Sequence, residues 1–273
     1  MKQTIGLIIL VLLSGNIVAQ DISQKNVPAV VLNAFQIKFP NATDVDWRLE
    51  KGNYRIKYKI NNKKNELYLD DRGNMLKHHQ DLYESEVPES VLKTIKSKVA
   101  FFDLYDADRF TEGKEIVYEI NFEISGKDHD FWIDEKGKLL KYKKELKDNE
   151  VPAEIITSIK NKYGILDIDR AEYNEEDGKI IFYLDGEIND KDHEFIFDDK
   201  TNLLLHKQDL RNSEIPLPVL NALKTNYSGA EIRDADLREE GKDITYEISL
   251  RKSKEKIRVL FNAKGETQQV KKD

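Results

Sequence analysis

The sequence repeats itself four times, and this repeat constrains the fold more than any other feature. One turn position is occupied at steps of 64 residues by Gly73, Gly137, Thr201 and Gly265. The repeats begin at Val27, Val87, Val151 and Ile215, so the first repeat is four residues shorter than the others. Such a period indicates tandem copies of one structural unit. We expect two of the missing residues to fall between the helix and the first strand and two in the following turn, because connections tolerate length changes best.

Each repeat opens with a helical pattern. After Val or Ile and then Pro, apolar residues follow at steps of 4, 1, 3 and 4, which in the first repeat gives Val27, Val31, Leu32, Phe35 and Phe39. These steps place the apolar residues on one face of a helix. The prolines fall in the first turn, where a missing N–H costs little. Each repeat is therefore predicted to begin with a three-turn helix that packs on a sheet.

Four segments with the alternation of β-strands follow each helix. The second segment of the first repeat shows the period of two most clearly, with Tyr54, Ile56, Tyr58 and Ile60. The predicted core residues of the third strand are Leu67 and Leu69, Phe131 and Ile133, Phe195 and Phe197, and Val259 and Phe261. The opposite face of this strand also carries one apolar residue per repeat: Tyr68, Trp132, Ile196 and Leu260.

These patterns predict an α+β protein of tandem α-β4 repeats, each a helix packed on a four-stranded antiparallel sheet. A unit of about 60 residues is marginally stable alone, and its strand edges invite aggregation. We therefore expect pairs of repeats to share one continuous sheet, which gives two lobes. The predicted repeat boundaries are residues 20–86, 87–150, 151–214 and 215–273.

Residues 1–19 have the pattern of a signal peptide. Lys2 is followed by the apolar run Ile5 to Leu13, and Ala19 offers a small residue at the expected cleavage point. Without this segment the chain has 43 basic and 51 acidic residues, a net charge of −8. This charge argues against nucleic acid as a partner. The sequence predicts a periplasmic or secreted protein with no membrane span after cleavage.

The first repeat resembles a known family. The matching features are Val27-Pro28, Phe39-Pro40-Asn41-Ala42, Trp47, Gly52-Asn53-Tyr54 and Leu69-Asp70-Asp71-Arg72-Gly73-Asn74. They are similar to the PepSY-like, β-lactamase-inhibitor-like domains of exported proteins in Bacteroidetes-type bacteria. The resemblance implies a helix on an antiparallel sheet, in tandem copies. In inhibitor proteins of similar fold, the sheet face opposite the helices grips a partner enzyme.

Candidate chemistry is sparse. His129 and His193 are equivalent, as are His78 and His206, but other repeats lack these histidines. We interpret them as structural rather than metal-ligating. The acidic turns lack the ligand spacing of calcium loops and are interpreted as solvated hairpins. The sequence has no cysteine and no recognisable catalytic or phosphate-binding motif. We expect no enzyme activity, no cofactor and no metal site.

The outward residues of the sheet are the best functional candidates. Trp, Tyr and Arg dominate protein interfaces, and the candidates for partner binding are Tyr68, Trp132, Arg55, Lys57 and Tyr183. The leading hypothesis is an exported, non-enzymatic module that binds a protein or peptide on its open sheet face, for example to inhibit an exported hydrolase. One alternative is a structural or envelope-associated protein without a specific partner. Another is a carrier of a small ligand or metal between the lobes.

Overall fold

The computed structural model describes residues 20–272, and the expected signal peptide lies outside the described residues. Within this range four helices of ten residues alternate with groups of strands. The helices are α1 (Ala29–Lys38), α2 (Glu89–Lys98), α3 (Ala153–Lys162) and α4 (Leu217–Asn226). No helix in residues 20–272 is long and apolar enough to span a bilayer.

The strands follow the predicted order, with a short extra strand before the first helix. The first repeat contains β1 (Gln20–Asp21), β2 (Thr43–Glu50), β3 (Asn53–Ile60), β4 (Lys63–Leu69) and β5 (Met75–Asp81). The second contains β6 (Asp106–Glu112), β7 (Glu115–Ile124), β8 (Lys127–Asp134) and β9 (Leu139–Glu145). The third contains β10 (Asp167–Glu176), β11 (Lys179–Glu187), β12 (Asp192–Asp198) and β13 (Leu203–Asp209). The fourth contains β14 (Glu231–Glu240), β15 (Asp243–Lys252), β16 (Glu255–Asn262) and β17 (Thr267–Lys272).

All seventeen strands of the described chain belong to one antiparallel sheet. The last strand of each repeat pairs with the first strand of the next, as β5 with β6, β9 with β10 and β13 with β14. The α+β class is confirmed, but the expected division of the sheet into two lobes is wrong. Strand β9 pairs with β10 from Lys141 to Glu145, so the sheet continues across the middle junction. This pairing satisfies backbone groups that a free edge would expose.

Residues 20–272 form two compact units. One contains residues 20–93, 106–120 and 134–137, which are the first repeat and part of the second. The other contains residues 94–105, 121–133 and 138–272, which include the third and fourth repeats. The repeat boundaries proposed from the sequence remain predictions.

The core lies on one face of the sheet, under the helices. Each helix buries two residues one turn apart: Val31 and Phe35, Val91 and Ile95, Ile155 and Ile159, and Val219 and Leu223. All eight third-strand residues predicted to face the core are buried as well. Burial of one such large apolar side chain contributes about 1.5–3 kcal/mol to folding. The opposite face of the sheet is therefore the one left open by the helices.

The first repeat is shortened within the hairpin of β2 and β3. One backbone hydrogen bond recurs at the start of each repeat. The N–H of Ile22 donates to the carbonyl group of Trp47 at 3.0 Å, and the N–H of Leu82 donates to that of Ala107 at 2.7 Å. Trp47 is therefore equivalent to Ala107. Trp47 pairs with Ile56, just as Ala171 pairs with Leu184. Each hairpin strand is therefore two residues shorter in the first repeat, and the prediction that two residues are missing before the first strand is wrong. An even deletion in each strand keeps every side chain on its own face.

Candidate functional site

The open face carries one half-buried apolar residue in the third strand of every repeat. These residues are Tyr68, Trp132, Ile196 and Leu260, spaced by 64 residues. They alternate with the buried core residues because successive side chains of a strand point to opposite faces. The helices do not cover them, so each repeat presents an apolar centre on the open face.

In the first repeat the structure brings together three predicted binding residues. Arg55 lies directly opposite Tyr68, and Lys57 lies opposite Glu66. The guanidinium group of Arg55 binds Glu50 at 3.1 Å and Glu66 at 2.8 Å. The hydroxyl group of Tyr68 donates to the second oxygen of Glu66 at 2.8 Å.

These carboxylates balance the positive charges of Arg55 and Lys57, two of the residues proposed from the sequence to bind a partner. Burial acts to raise the pKa of Glu66, but hydrogen bonds from Arg55 and Tyr68 outweigh it and hold the pKa below its ordinary value. Glu66 is thus ionised at neutral pH, and Lys57 Nζ lies 3.8 Å from its carboxylate. Arg55 and Lys57 are therefore engaged in ion pairs around the ring of Tyr68, and they do not form a surface of unpaired positive charge.

Trp132 and Tyr183 lie on the open face but not beside each other. Lys141, the cross-strand partner of Trp132, places its ammonium group 4.9 Å from the indole ring centroid. Tyr183 in β11 is three strands away from Trp132 in β8. Lys141 pairs with Glu176 in β10, and Glu176 pairs with Lys179 in β11. Tyr183 therefore lies four residues beyond the position of β11 that is level with Trp132. These offsets correspond to about 20 Å. The structure therefore does not join the two aromatic residues into one patch.

Tyr183 instead begins an apolar row across three strands. It pairs with Ile196, and Ile196 pairs with Leu205. We call these three residues the Tyr183 row. Tyr183 is 40% exposed, more than a buried structural tyrosine would be. The sequence had identified Tyr183 and the outward position of Ile196, but not their pairing with Leu205.

Charged residues border the Tyr183 row. Arg170, Glu172, Asp185 and Glu194 line an open depression of about 350 Å³ that contains Tyr183 and Ile196. Glu172 is bound by Arg170 and, at 3.0 Å, by Lys143. Lys207 lies 3.5 Å from Glu194. An apolar centre with a polar rim is the arrangement typical of protein interfaces.

Paired carboxylates occur where one repeat joins the next, a feature that the sequence analysis missed. The cross-strand pairs are Asp81 with Asp108, Glu145 with Glu172, and Asp209 with Asp236. A side chain two residues earlier in the fourth strand contacts the second carboxylate of each pair: His79 at 2.6 Å, Lys143 at 3.0 Å and Lys207 at 3.4 Å. These residues are spaced by 64, which is the sequence signal that could have revealed them.

The four histidines considered from the sequence lie in the core. Hydrogen bonds join His78 to Tyr58 at 2.7 Å, His129 to Tyr142 at 2.9 Å, and His193 to His206 at 2.9 Å. Burial lowers the pKa of His78 and that of His206 to about 4, so both are neutral at physiological pH. Their partners are side chains of the core. Among the described residues, the group suited to hold a metal is His79, Asp81 and Asp108.

Comparison with known proteins identifies the repeat. Four segments match one family model, described as "Putative beta-lactamase-inhibitor-like, PepSY-like": residues 16–77, 75–141, 141–205 and 189–269. No curated protein matches the chain.

Several solved structures are similar to parts of the chain. A DUF2874 family protein from Bacteroides uniformis is 20% identical, with a TM-score of 0.37, and the match covers 45% of this chain and 89% of that one. A BLIP-like protein from Bacteroides fragilis is 21% identical, with a TM-score of 0.36 and coverage of 46% and 93%. A structure from Bacteroides eggerthii described as "putative periplasmic proteins" is 15% identical, with a TM-score of 0.35 and coverage of 42% and 86%.

The family matches extend over most of the sequence and fall at the four repeats found in it. The predicted resemblance is confirmed by this finding. The chain belongs to the PepSY-like, β-lactamase-inhibitor-like family and carries four tandem copies of its domain.

Proposed function

We propose that this protein is an exported, non-enzymatic binding module that holds a partner protein on the open face of its sheet. The observation that carries the proposal is the Tyr183 row, an apolar surface on the face that the helices leave open. Its exposed tyrosine lies in a depression rimmed by ion pairs. Interfaces gain most of their affinity from a few such anchors near the centre, while the rim excludes water.

The ion pairs favour a protein partner with polar groups around an apolar anchor. Arg55 and Lys207 are each held by a carboxylate on a neighbouring strand, and Arg170 is held by Glu172 of its own strand. Because these side chains are already ordered, less conformational entropy is lost when a partner binds. Arg55, Lys57, Tyr68 and Trp132 are further open-face residues that we propose for partner binding.

Two further observations support the proposal. The family description refers to β-lactamase-inhibitor-like proteins, and inhibition of an exported hydrolase is the specific form of binding that we propose. The charge, apolar run and small residue at Lys2, Ile5 to Leu13 and Ala19 support export to the periplasm or beyond.

The proposal is tested by capture from an envelope extract of the organism that makes the protein. Wild type, Tyr183→Ala, Trp132→Ala and Phe101→Ala serve as baits. Phe101 is the matched control because it is 88% exposed but lies in the connection between α2 and β6. Thermal unfolding of each bait verifies that the folds are equally stable.

We expect wild type and Phe101→Ala to capture one protein that Tyr183→Ala loses and Trp132→Ala holds more weakly. Capture that is lost with Phe101→Ala and kept with Tyr183→Ala contradicts binding at the open face. Capture of nothing but a second copy of the chain favours the structural, self-associating alternative and also contradicts the proposal.

A further inference from the structure

The junction between the first and second repeats differs chemically from its two equivalents. At the other junctions Lys143 and Lys207 place an ammonium group against the paired carboxylates. At this junction the same position holds His79. An ammonium group can only donate hydrogen bonds, whereas a neutral imidazole offers a nitrogen lone pair to a metal. The substitution replaces a fixed cation with a potential ligand.

The side chains at this junction are grouped closely enough to share one ion. Nε2 of His79 lies 2.6 Å from Oδ1 of Asp108 and 4.0 Å from Oδ1 of Asp81. One ligand atom from each of the three residues lies within 4.8 Å of the other two. Tetrahedral zinc with bonds of about 2.0 Å separates its ligands by about 3.3 Å. Adjustments of roughly 1 Å therefore bring all three atoms to zinc distances.

We propose that His79, Asp81 and Asp108 form a zinc-binding site on the open face of the sheet. One nitrogen and two carboxylate oxygens supply three protein ligands, and water completes the coordination. The imidazole ligand favours zinc over magnesium or calcium, which prefer oxygen alone. On binding, zinc takes the place of the proton on Nε2 of His79, which passes to Nδ1 or to solvent. The hydrogen bond between His79 and Asp108 is lost, and zinc neutralises the two carboxylates. This site shares no residue with the Tyr183 row, and the proposal does not depend on the proposed partner.

Neighbouring groups orient the ligands and leave them accessible. The ring of Phe110 stacks on His79 at a centroid distance of 4.4 Å and an angle of 13°. The backbone N–H of Lys64 donates to Oδ2 of Asp81 at 3.3 Å, which leaves Oδ1 for the metal. His79 and Asp81 both line an open depression of about 420 Å³, through which an ion can enter. Such outer contacts fix ligand geometry in metal sites.

Isothermal titration of zinc chloride into the untagged chain at pH 7.5 tests the proposal. Three variants provide the comparison. His79→Lys recreates the residue found at Lys143 and Lys207, so we expect it to fold normally. Asp108→Asn removes a ligand. Asp44→Asn is the control, because Asp44 lines the same depression but pairs with Lys59 at 2.8 Å.

We expect wild type and Asp44→Asn to bind one zinc ion per chain, with a higher melting temperature in its presence. We expect His79→Lys and Asp108→Asn to bind at least about tenfold more weakly, while both remain folded without zinc. The proposal is overturned if wild type shows no saturable binding. It is equally overturned if His79→Lys binds as well as wild type, or if Asp44→Asn loses as much affinity as Asp108→Asn.

Discussion

Thr201 occupies a turn position that is glycine in the other three repeats. Its φ angle is 61°, in the left-handed region that β-branched residues avoid. Glycine adopts this conformation at little cost, whereas other residues lose about 1–2 kcal/mol. We therefore expect Thr201→Gly to raise the free energy of unfolding by about 1 kcal/mol, part of the gain being offset by the greater freedom of glycine in the unfolded chain. Urea denaturation measures the change, and a destabilised variant would show that the threonine side chain makes compensating contacts.

Gly265, at the equivalent position of the fourth repeat, is required for its positive φ and also because the helix backbone lies very close to it. A Cβ atom there would lie 2.3 Å from the carbonyl oxygen of Pro218 in α4. Gly241 has a similar positive φ but open space around it, so Gly241→Ala is the control. We expect Gly265→Ala to lose about 1–3 kcal/mol more than Gly241→Ala in urea denaturation, because the helix must move away. Equal losses would mean that the backbone conformation alone requires glycine.

The buried histidine pair of the third repeat makes stability depend on pH. His206 contacts His193 at 2.9 Å and the ring of Tyr163 at 4.1 Å, and its second nitrogen lies 3.7 Å from Glu239. Lys162 also pairs with Glu239. Burial, aided by His193, lowers the pKa of His206 from 6.5 to about 4. The unfolded chain therefore binds the proton more readily, and the stability present above pH 6.5 is lost as the pH falls towards 4.

His206→Tyr isolates this effect, because the second repeat has Tyr142 at the same position, bonded to His129. We expect the variant to lose less stability than wild type between pH 7 and pH 4. The difference should approach about 3 kcal/mol, the free energy of the pKa shift. Urea midpoints at several pH values measure it. Parallel curves for the two proteins would show that other groups cause the acid sensitivity.

Individual side chains were predicted from the sequence to different extents. The alternation of strand residues correctly placed Tyr68, Trp132 and Tyr183 on the outer face. It did not show that Arg55 is neutralised by Glu66, or that His79 meets Asp108, because these contacts depend on the pairing of strands. A pairing between repeats is invisible until the register of the junction is known.

The ends of two helices are tied to the next repeat by a carboxylate. Lys98 at the end of α2 binds Glu175 of β10 at 2.7 Å, and Tyr173 donates to the same oxygen at 2.9 Å. At the end of α3, Lys162 and Tyr163 each bind one carboxylate oxygen of Glu239 in β14. Each contact joins a helix of one repeat to a strand of the next, so adjacent repeats should unfold together.

We expect Glu175→Gln to lower the free energy of unfolding by about 1–2 kcal/mol, because a half-buried charged group loses its ionic partner. The control is Asp177→Asn, which breaks the exposed contact of Asp177 with Lys138 at 3.9 Å. Exposed pairs contribute at most about 1 kcal/mol and often much less. Chemical denaturation compares the two variants, and equal losses would contradict a special role for the Glu175 contact.

The elements themselves were largely predictable. Apolar spacing identified the four helices, and alternation identified their strands and core faces. The position of the shortening in the first repeat was not predictable, because Trp47 can be aligned with either Ala107 or Arg109 by sequence. The recurring backbone hydrogen bond and the pairing of Trp47 with Ile56 decide between them. A two-residue change in both strands of a hairpin alters its length without altering its faces.

At the scale of the whole molecule, the repeats build one sheet rather than two. The sequence showed that strand edges needed partners but not which edges would pair. The pairing of β9 with β10 supplies the answer, since it extends the sheet through the middle of the chain. The helices cover one face of this sheet, and the residues proposed to bind a partner all lie on the other.

The most direct test of this account is photo-crosslinking in the producing cells. The photoreactive residue p-benzoylphenylalanine replaces Tyr183 in one variant of the chain and Phe101 in another. The comparison is between an aromatic residue on the open face and an exposed aromatic residue outside the sheet. We expect a crosslink from position 183 to a different protein and none to that protein from position 101. Crosslinks from position 101 alone, or from position 183 only to a second copy of the chain, would contradict the open face as the binding surface.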